Sequence, residues 1–152
     1  MQVKIEDLKK LREATSAGVS DCRQALEDTS GDFEKAKKLI IERGVAKAEK
    51  KQDREASQGI IESYVHATGK VGVLLELRCE TDFVARTDDF KKLAHEIALQ
   101  IAAMQPKDVA ELTKSAYIRD ASVTIESLIK QTIAKVGENI TVARFVRMGL
   151  GE

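Results

Sequence analysis

VGVLLELRCETDFVAR, residues 71–86, decides how the rest of the chain is read. Its first nine residues alternate. Val71, Val73, Leu75, Leu77 and Cys79 share one face, and Gly72, Leu74, Glu76 and Arg78 share the other. A period of two is the mark of a strand with one buried face. Upstream, Ile61, Ser63 and Val65 alternate with Ile60, Glu62, Tyr64 and His66, and Ala67-Thr68-Gly69-Lys70 signals a hairpin. Downstream, the period changes. From about Asp88, residues Phe90, Leu93, Ile97, Ile101 and Met104 recur at helical spacing, and Pro106 closes the region. A second helix carries Ile125, Leu128, Ile129, Ile133 and Val136, and Gly137 is placed to stop it. Ile140, Val142, Val146 and Met148 then alternate as a last strand. Residues 58–152 therefore read as an α+β domain, a small antiparallel three-stranded sheet packed by helices.

The first 45 residues read as three short helices. Ile5, Leu8, Leu11 and Arg12 mark the stripe of the first, and Thr15-Ser16-Ala17-Gly18 interrupts it. Val19, Cys22, Ala25 and Leu26 mark the second. Ser30-Gly31-Asp32 is a break in which Asp32 caps a third helix with Phe33, Ala36, Leu39 and Ile40, and Gly44 is placed to end it. Residues 46–57 hold Lys47, Glu49, Lys50, Lys51, Asp53, Arg54 and Glu55 and no large apolar side chain, the composition of a solvated, partly stiff linker.

Acids and bases are balanced at 25 each and interleaved. Nucleic-acid binders carry a basic excess or stripe, so balance favours a protein partner. No apolar run nears the ~20 residues that span a bilayer. The segment Met1 to Lys10 lacks the apolar stretch of a signal peptide, so a soluble cytosolic protein is expected. Cys22, Cys79, His66 and His95 have no metal-binding spacing, and two cysteines make no disulfide scaffold. No phosphate-binding glycine loop occurs. Asp88-Asp89 fits a helix N-terminus better than a pair of catalytic acids. The chain thus reads as no enzyme, with no metal or cofactor.

Between the central strand and the following helix lies Cys79-Glu80-Thr81-Asp82-Phe83-Val84-Ala85-Arg86. By pattern alone, Phe83 either plugs its own core or sits exposed as an anchor, and core packing is favoured because large aromatics are mostly buried. The stretch from Glu76 to Arg86, with Thr81-Asp82-Phe83-Val84 at its centre, resembles a signature of the elongation factor Ts family. The segment Leu11 to Leu26 resembles the other signature. Gly31-Asp32-Phe33-Glu34-Lys35-Ala36, Gly44-Val45-Ala46-Lys47-Ala48 and Gly137-Glu138-Asn139-Ile140 fit further family segments, in order along nearly the whole chain. Arg78 stands where the family usually has Asn, Arg23 where Lys is usual, and Val19-Ser20 where a more hydrophobic pair is usual.

The resemblance implies an N-terminal domain similar to ubiquitin-associated three-helix domains, docking on the GTPase domain of elongation factor Tu in its GDP-bound and nucleotide-free forms. It implies that Phe83 acts as a wedge and that Asp82 engages the magnesium side of the nucleotide site. Thr81 and Val84 flank them in the same contact. Arg12, Val19 and Ser20 lie near the contact by the same likeness, and His66 at its hairpin tip matches a place where longer relatives touch the partner. A homodimer is expected as well. Ile60, Tyr64, Leu74, Ala143 and Phe145 would otherwise leave the second sheet face wet, and a second copy would cover it where longer relatives use a second subdomain. The rival reading is an adaptor of the ubiquitin-associated kind fused to an unrelated α+β module.

Overall fold

A computed structural model describes residues 2–152. Three helices come first: α1 (Ile5–Thr15), α2 (Val19–Asp28) and α3 (Phe33–Glu49). Asp32 caps α3 by accepting the Lys35 N–H at 3.0 Å. Leu11, Cys22, Ala25, Leu26 and Ala36 are buried together, with Leu8, Phe33, Leu39 and Ile40 around them.

The expected end of α3 at Gly44 is not observed. The helix runs through Gly44 to Glu49, four residues into the stretch read as linker. Gly44 has a packing task instead. A Cβ there would lie 3.2 Å from Ala134 Cβ, so the missing side chain lets α3 approach the helix α7 (Ile125–Val136) closely. Ala48, one turn on, is fully buried in the larger core.

That larger core sits under a three-stranded antiparallel sheet of order β1 (Gln58–Val65), β2 (Val71–Cys79) and β5 (Ile140–Gly149). Val73, Leu75, Leu77 and Cys79 face inward and meet Phe90, Leu93, Ile97 and Ile101 of helix α5 (Asp88–Met104). Gly137, at φ 77°, ends α7 where the sequence placed its stop. A one-turn helix α4 (Asp82–Ala85), a short α6 (Val109–Lys114) and a second, two-stranded sheet of β3 (Ala116–Tyr117) and β4 (Asp120–Thr124) complete the α+β architecture. Buried Gln100 of α5 secures the small sheet. Its amide donates to Ala116 O at 2.8 Å and its Oε1 accepts the Ile118 N–H at 2.9 Å.

The outer sheet face differs from the expectation. Tyr64 pairs with Val73 and Ile60 with Leu77, so both lie on the inner side and pack the core. Ala143 is a bulge: Arg144 pairs with Glu76 and Val142 with Leu77, leaving Ala143 without a partner. The extra residue switches the face of everything after it and turns Phe145 inward. Ile61, Val65, Leu74, Val146 and Met148 are the large apolar side chains on the open face.

Candidate functional site

The turn between β2 and α5 is built on two threonines. Thr81, in extended conformation, caps α4, and its Oγ1 accepts the Val84 N–H at 3.3 Å. Thr87 caps α5. Its hydroxyl donates to Val84 O at 2.7 Å and accepts the Phe90 N–H at 3.3 Å. Below the turn, the buried Cys79 thiol donates to Thr81 O at 3.0 Å. Burial, with the Glu138 carboxylate next in effect, pushes that thiol above its usual range, so it stays protonated and a donor.

A helical turn divides its side chains between two sides. Val84 and Ala85 point down and are buried. Phe83 points out and is 77% exposed, and exposed Asp82 beside it pairs with Arg86. Of the two places that pattern left open for Phe83, the exposed one is observed, and Val84 fills the core side. Val84, expected beside Phe83 in the contact, is 5% exposed, and its side chain anchors the turn. An aromatic ring held in water on a capped turn forgoes roughly 1.5–3 kcal/mol of burial, which a partner's pocket would recover.

The remaining predicted residues lie elsewhere. Arg12 and Ser20 are exposed, and Val19, opening α2, is 42% exposed. They flank the Thr15–Gly18 turn, where Ser16 (φ 56°) donates its N–H to Arg12 O at 2.7 Å. Helices α1 and α2 pack on each other and on α3, whereas α4 packs on β1, β2 and α5. The structure thus presents two patches. His66 forms a third, at the tip of the β1–β2 hairpin. Its Nδ1 accepts the Thr68 N–H at 3.3 Å, and its ring sits edge-on to Tyr64 at 6.4 Å. β2 runs from beside this tip to the Thr81 turn, so the two stand roughly 26 Å apart along the strand.

Sequence reasoning missed three neighbours of the turn. Arg86 holds Asp82, Glu138 accepts from Thr81, and Asn139 sits buried beside Glu138. Only the i, i+4 spacing of Asp82 and Arg86 was open to reading from sequence. Thr81 and Glu138 are 57 positions apart, and nothing local couples them.

Residues 80–151 match the family model described as elongation factor TS. The chain is 46% identical to the elongation factor Ts of Coprothermobacter proteolyticus and 44% identical to that of Fervidobacterium nodosum, over the whole length of each protein. It is 40% identical to the chloroplastic elongation factor Ts of Guillardia theta, across all of this chain and 90% of that one. The two bacterial alignments extend over 197 positions against 152 residues here, so those relatives have residues at positions where this chain has none.

Proposed function

This chain belongs to the elongation factor Ts family, and we propose that it is a guanine-nucleotide exchange factor that releases GDP from elongation factor Tu in the cytoplasm. The observation that carries the reading is Phe83, exposed on a turn fixed by Thr81 and Thr87, with Asp82 beside it. A GTPase holds its nucleotide largely through phosphate and Mg²⁺ contacts. Phe83 enters the partner's GTPase domain as a wedge. Asp82 leaves Arg86, an exposed pairing that costs little to open, and engages groups on the magnesium side. Weakened phosphate and Mg²⁺ contacts let GDP go. By linkage, this chain binds the nucleotide-free partner more tightly than the GDP form by the same factor. No covalent bond changes, so the protein is not an enzyme in the hydrolytic sense.

The patch at Arg12, Val19 and Ser20 supplies affinity, and His66 supplies a further contact. Two copies work together, packed through the open sheet face. Fluorescent GDP preloaded on elongation factor Tu and chased with unlabelled GDP tests the reading. Release should accelerate many-fold when this protein is added, and an unchanged rate overturns it. Capture of ubiquitin-like proteins in place of elongation factor Tu would return the helical part to the adaptor reading.

A further inference from the structure

Thr81 is held from far along the chain. Its N–H donates to Glu138 Oε1 at 2.9 Å and its hydroxyl donates to Glu138 Oε2 at 2.7 Å, so one carboxylate takes both donors. The same hydroxyl oxygen is the cap of α4. A helix of four residues does not stand by itself, so its geometry is imposed from outside, here by charge-assisted bonds. The next residue faces another way. Asn139 is 3% exposed, and its amide donates to Arg54 O at 2.8 Å and Gln52 O at 3.3 Å. The preceding residue, Gly137, accepts from Lys51 Nζ at 3.1 Å through its carbonyl. Arg54 in turn reaches Glu80 at 3.8 Å, immediately before Thr81. Three consecutive residues therefore grip the Phe83 turn on one side and the chain leaving α3 on the other.

We propose that Gly137–Asn139 is a joint that, together with the α3–α7 seam, sets the turn bearing Phe83 at a fixed angle to the three helices, with Glu138 the positioning residue for the turn and Asn139 the positioning residue for the chain that leaves α3. The proposal rests on the exchange reading above. Its physical content is preorganisation: a wedge already in place loses little freedom on binding, and two patches at a fixed spacing engage one partner together. The two side chains then act on different quantities. Glu138 governs how fast bound partner loses GDP. Asn139 governs how much protein is needed to bind it.

Fluorescent GDP release measured against the concentration of the full chain separates the two, with amide hydrogen exchange on the isolated chain as an independent readout. Glu138→Ala should lower the maximal rate at least fivefold, leave the half-saturating concentration within twofold, and speed Thr81 amide exchange at least tenfold. Glu138→Gln keeps one acceptor oxygen and should fall between wild type and Glu138→Ala in both, and it serves alone if the alanine variant does not fold. Asn139→Ala should raise the half-saturating concentration at least fivefold at a maximal rate within twofold of wild type. An unchanged maximal rate in both Glu138 variants, or both sites shifting the same parameter, overturns the joint while wild-type exchange stands. Absence of wild-type exchange overturns the function instead. In that case, Thr81 protection unchanged by the Glu138 variants overturns the joint as well, and its loss supports the clamp.

Discussion

Two side chains show what single residues decide. Phe83, at 77% exposure, contributes little to the core, so Phe83→Ala should leave the melting temperature almost unchanged. A buried aromatic anchor is worth ~2 kcal/mol or more in a complex, and ~1.4 kcal/mol is tenfold. Stimulated GDP release should therefore fall at least tenfold, and a folded Phe83→Ala variant with full activity would remove the wedge. Tyr117 works in the opposite way, as a structural group. Burial first, and then its 2.5 Å hydrogen bond to Glu96, pushes the phenol from 10.0 to about 12. A pKa raised by folding stabilises fully below the unfolded value and is lost as pH climbs, here from 10.0 to about 12. For Glu96, burial works to raise the pKa, but the bonds from Tyr117 and Arg119 outweigh it and hold the carboxyl below its usual 4.5. That contribution is complete above 4.5 and is lost as pH falls further. Melting temperature against pH should thus decline at both ends, and Tyr117→Phe should flatten the alkaline limb. An alkaline limb unchanged in Tyr117→Phe would show that other groups cause it.

At the scale of elements, the sequence was legible wherever a period ran uninterrupted and a cap chemistry marked its end. The inward row of β2, the span of α5 from Asp88 to Met104 and the stop of α7 at Gly137 all follow from side-chain spacing. Misreadings occurred where a residue answers to a neighbour distant in sequence. Gly44 has the chemistry of a helix terminator, yet Ala134, 90 positions away, sets its use. Ala143 looks like any strand residue, yet as a bulge it turns Phe145 inward and Val146 outward. Of the candidate site, the position of the turn between strand and helix was readable, while its two threonine caps were seen only in the structure and the Glu138 grip on Thr81 was not readable, because no local pattern encodes a contact across 57 residues. The α3–α7 seam makes the point testable. Gly44→Leu places a branched side chain where a single Cβ already meets Ala134 at 3.2 Å. Overpacking of this kind costs about 1–3 kcal/mol, so the melting temperature should drop by several degrees. A variant as stable as wild type would show that α3 does not pack closely on α7 in solution.

For the molecule as a whole, the open face of the sheet carries exposed apolar rows. Across the three strands, Ser63, Leu74 and Val146 form one row and Val65, Gly72 and Met148 the next, with Ile61 beside them. Five large apolar side chains between 53% and 73% exposed on one small face make a patch that soluble monomers seldom leave wet. At one end of the face, Glu76 joins Arg78 at 2.7 Å and Arg144 at 3.3 Å, a charged border that pairs within the chain and leaves the apolar rows for a partner. Identical patches paired about a two-fold axis close and do not polymerise, which favours a second copy over an open stack. Two sheets stacked with their β2 strands running in opposite directions also resolve the separation of His66 from Phe83. In such a dimer the hairpin tip of one copy would come beside the Thr81 turn of the other, and one partner molecule would meet residues of both. Sedimentation equilibrium at micromolar concentration should give twice the 16.8 kDa chain mass. Leu74→Glu should give the single-chain mass with its helical signal intact, because Leu74 points away from the core. The composite site has its own signature. Phe83→Ala and His66→Ala homodimers should each exchange GDP poorly, and mixing them should restore activity, since each mixed dimer holds one site with both native side chains. A single-chain mass for wild type at full activity would refute the dimer, and a dimer whose mixed variants show no recovery would place His66 outside the shared site.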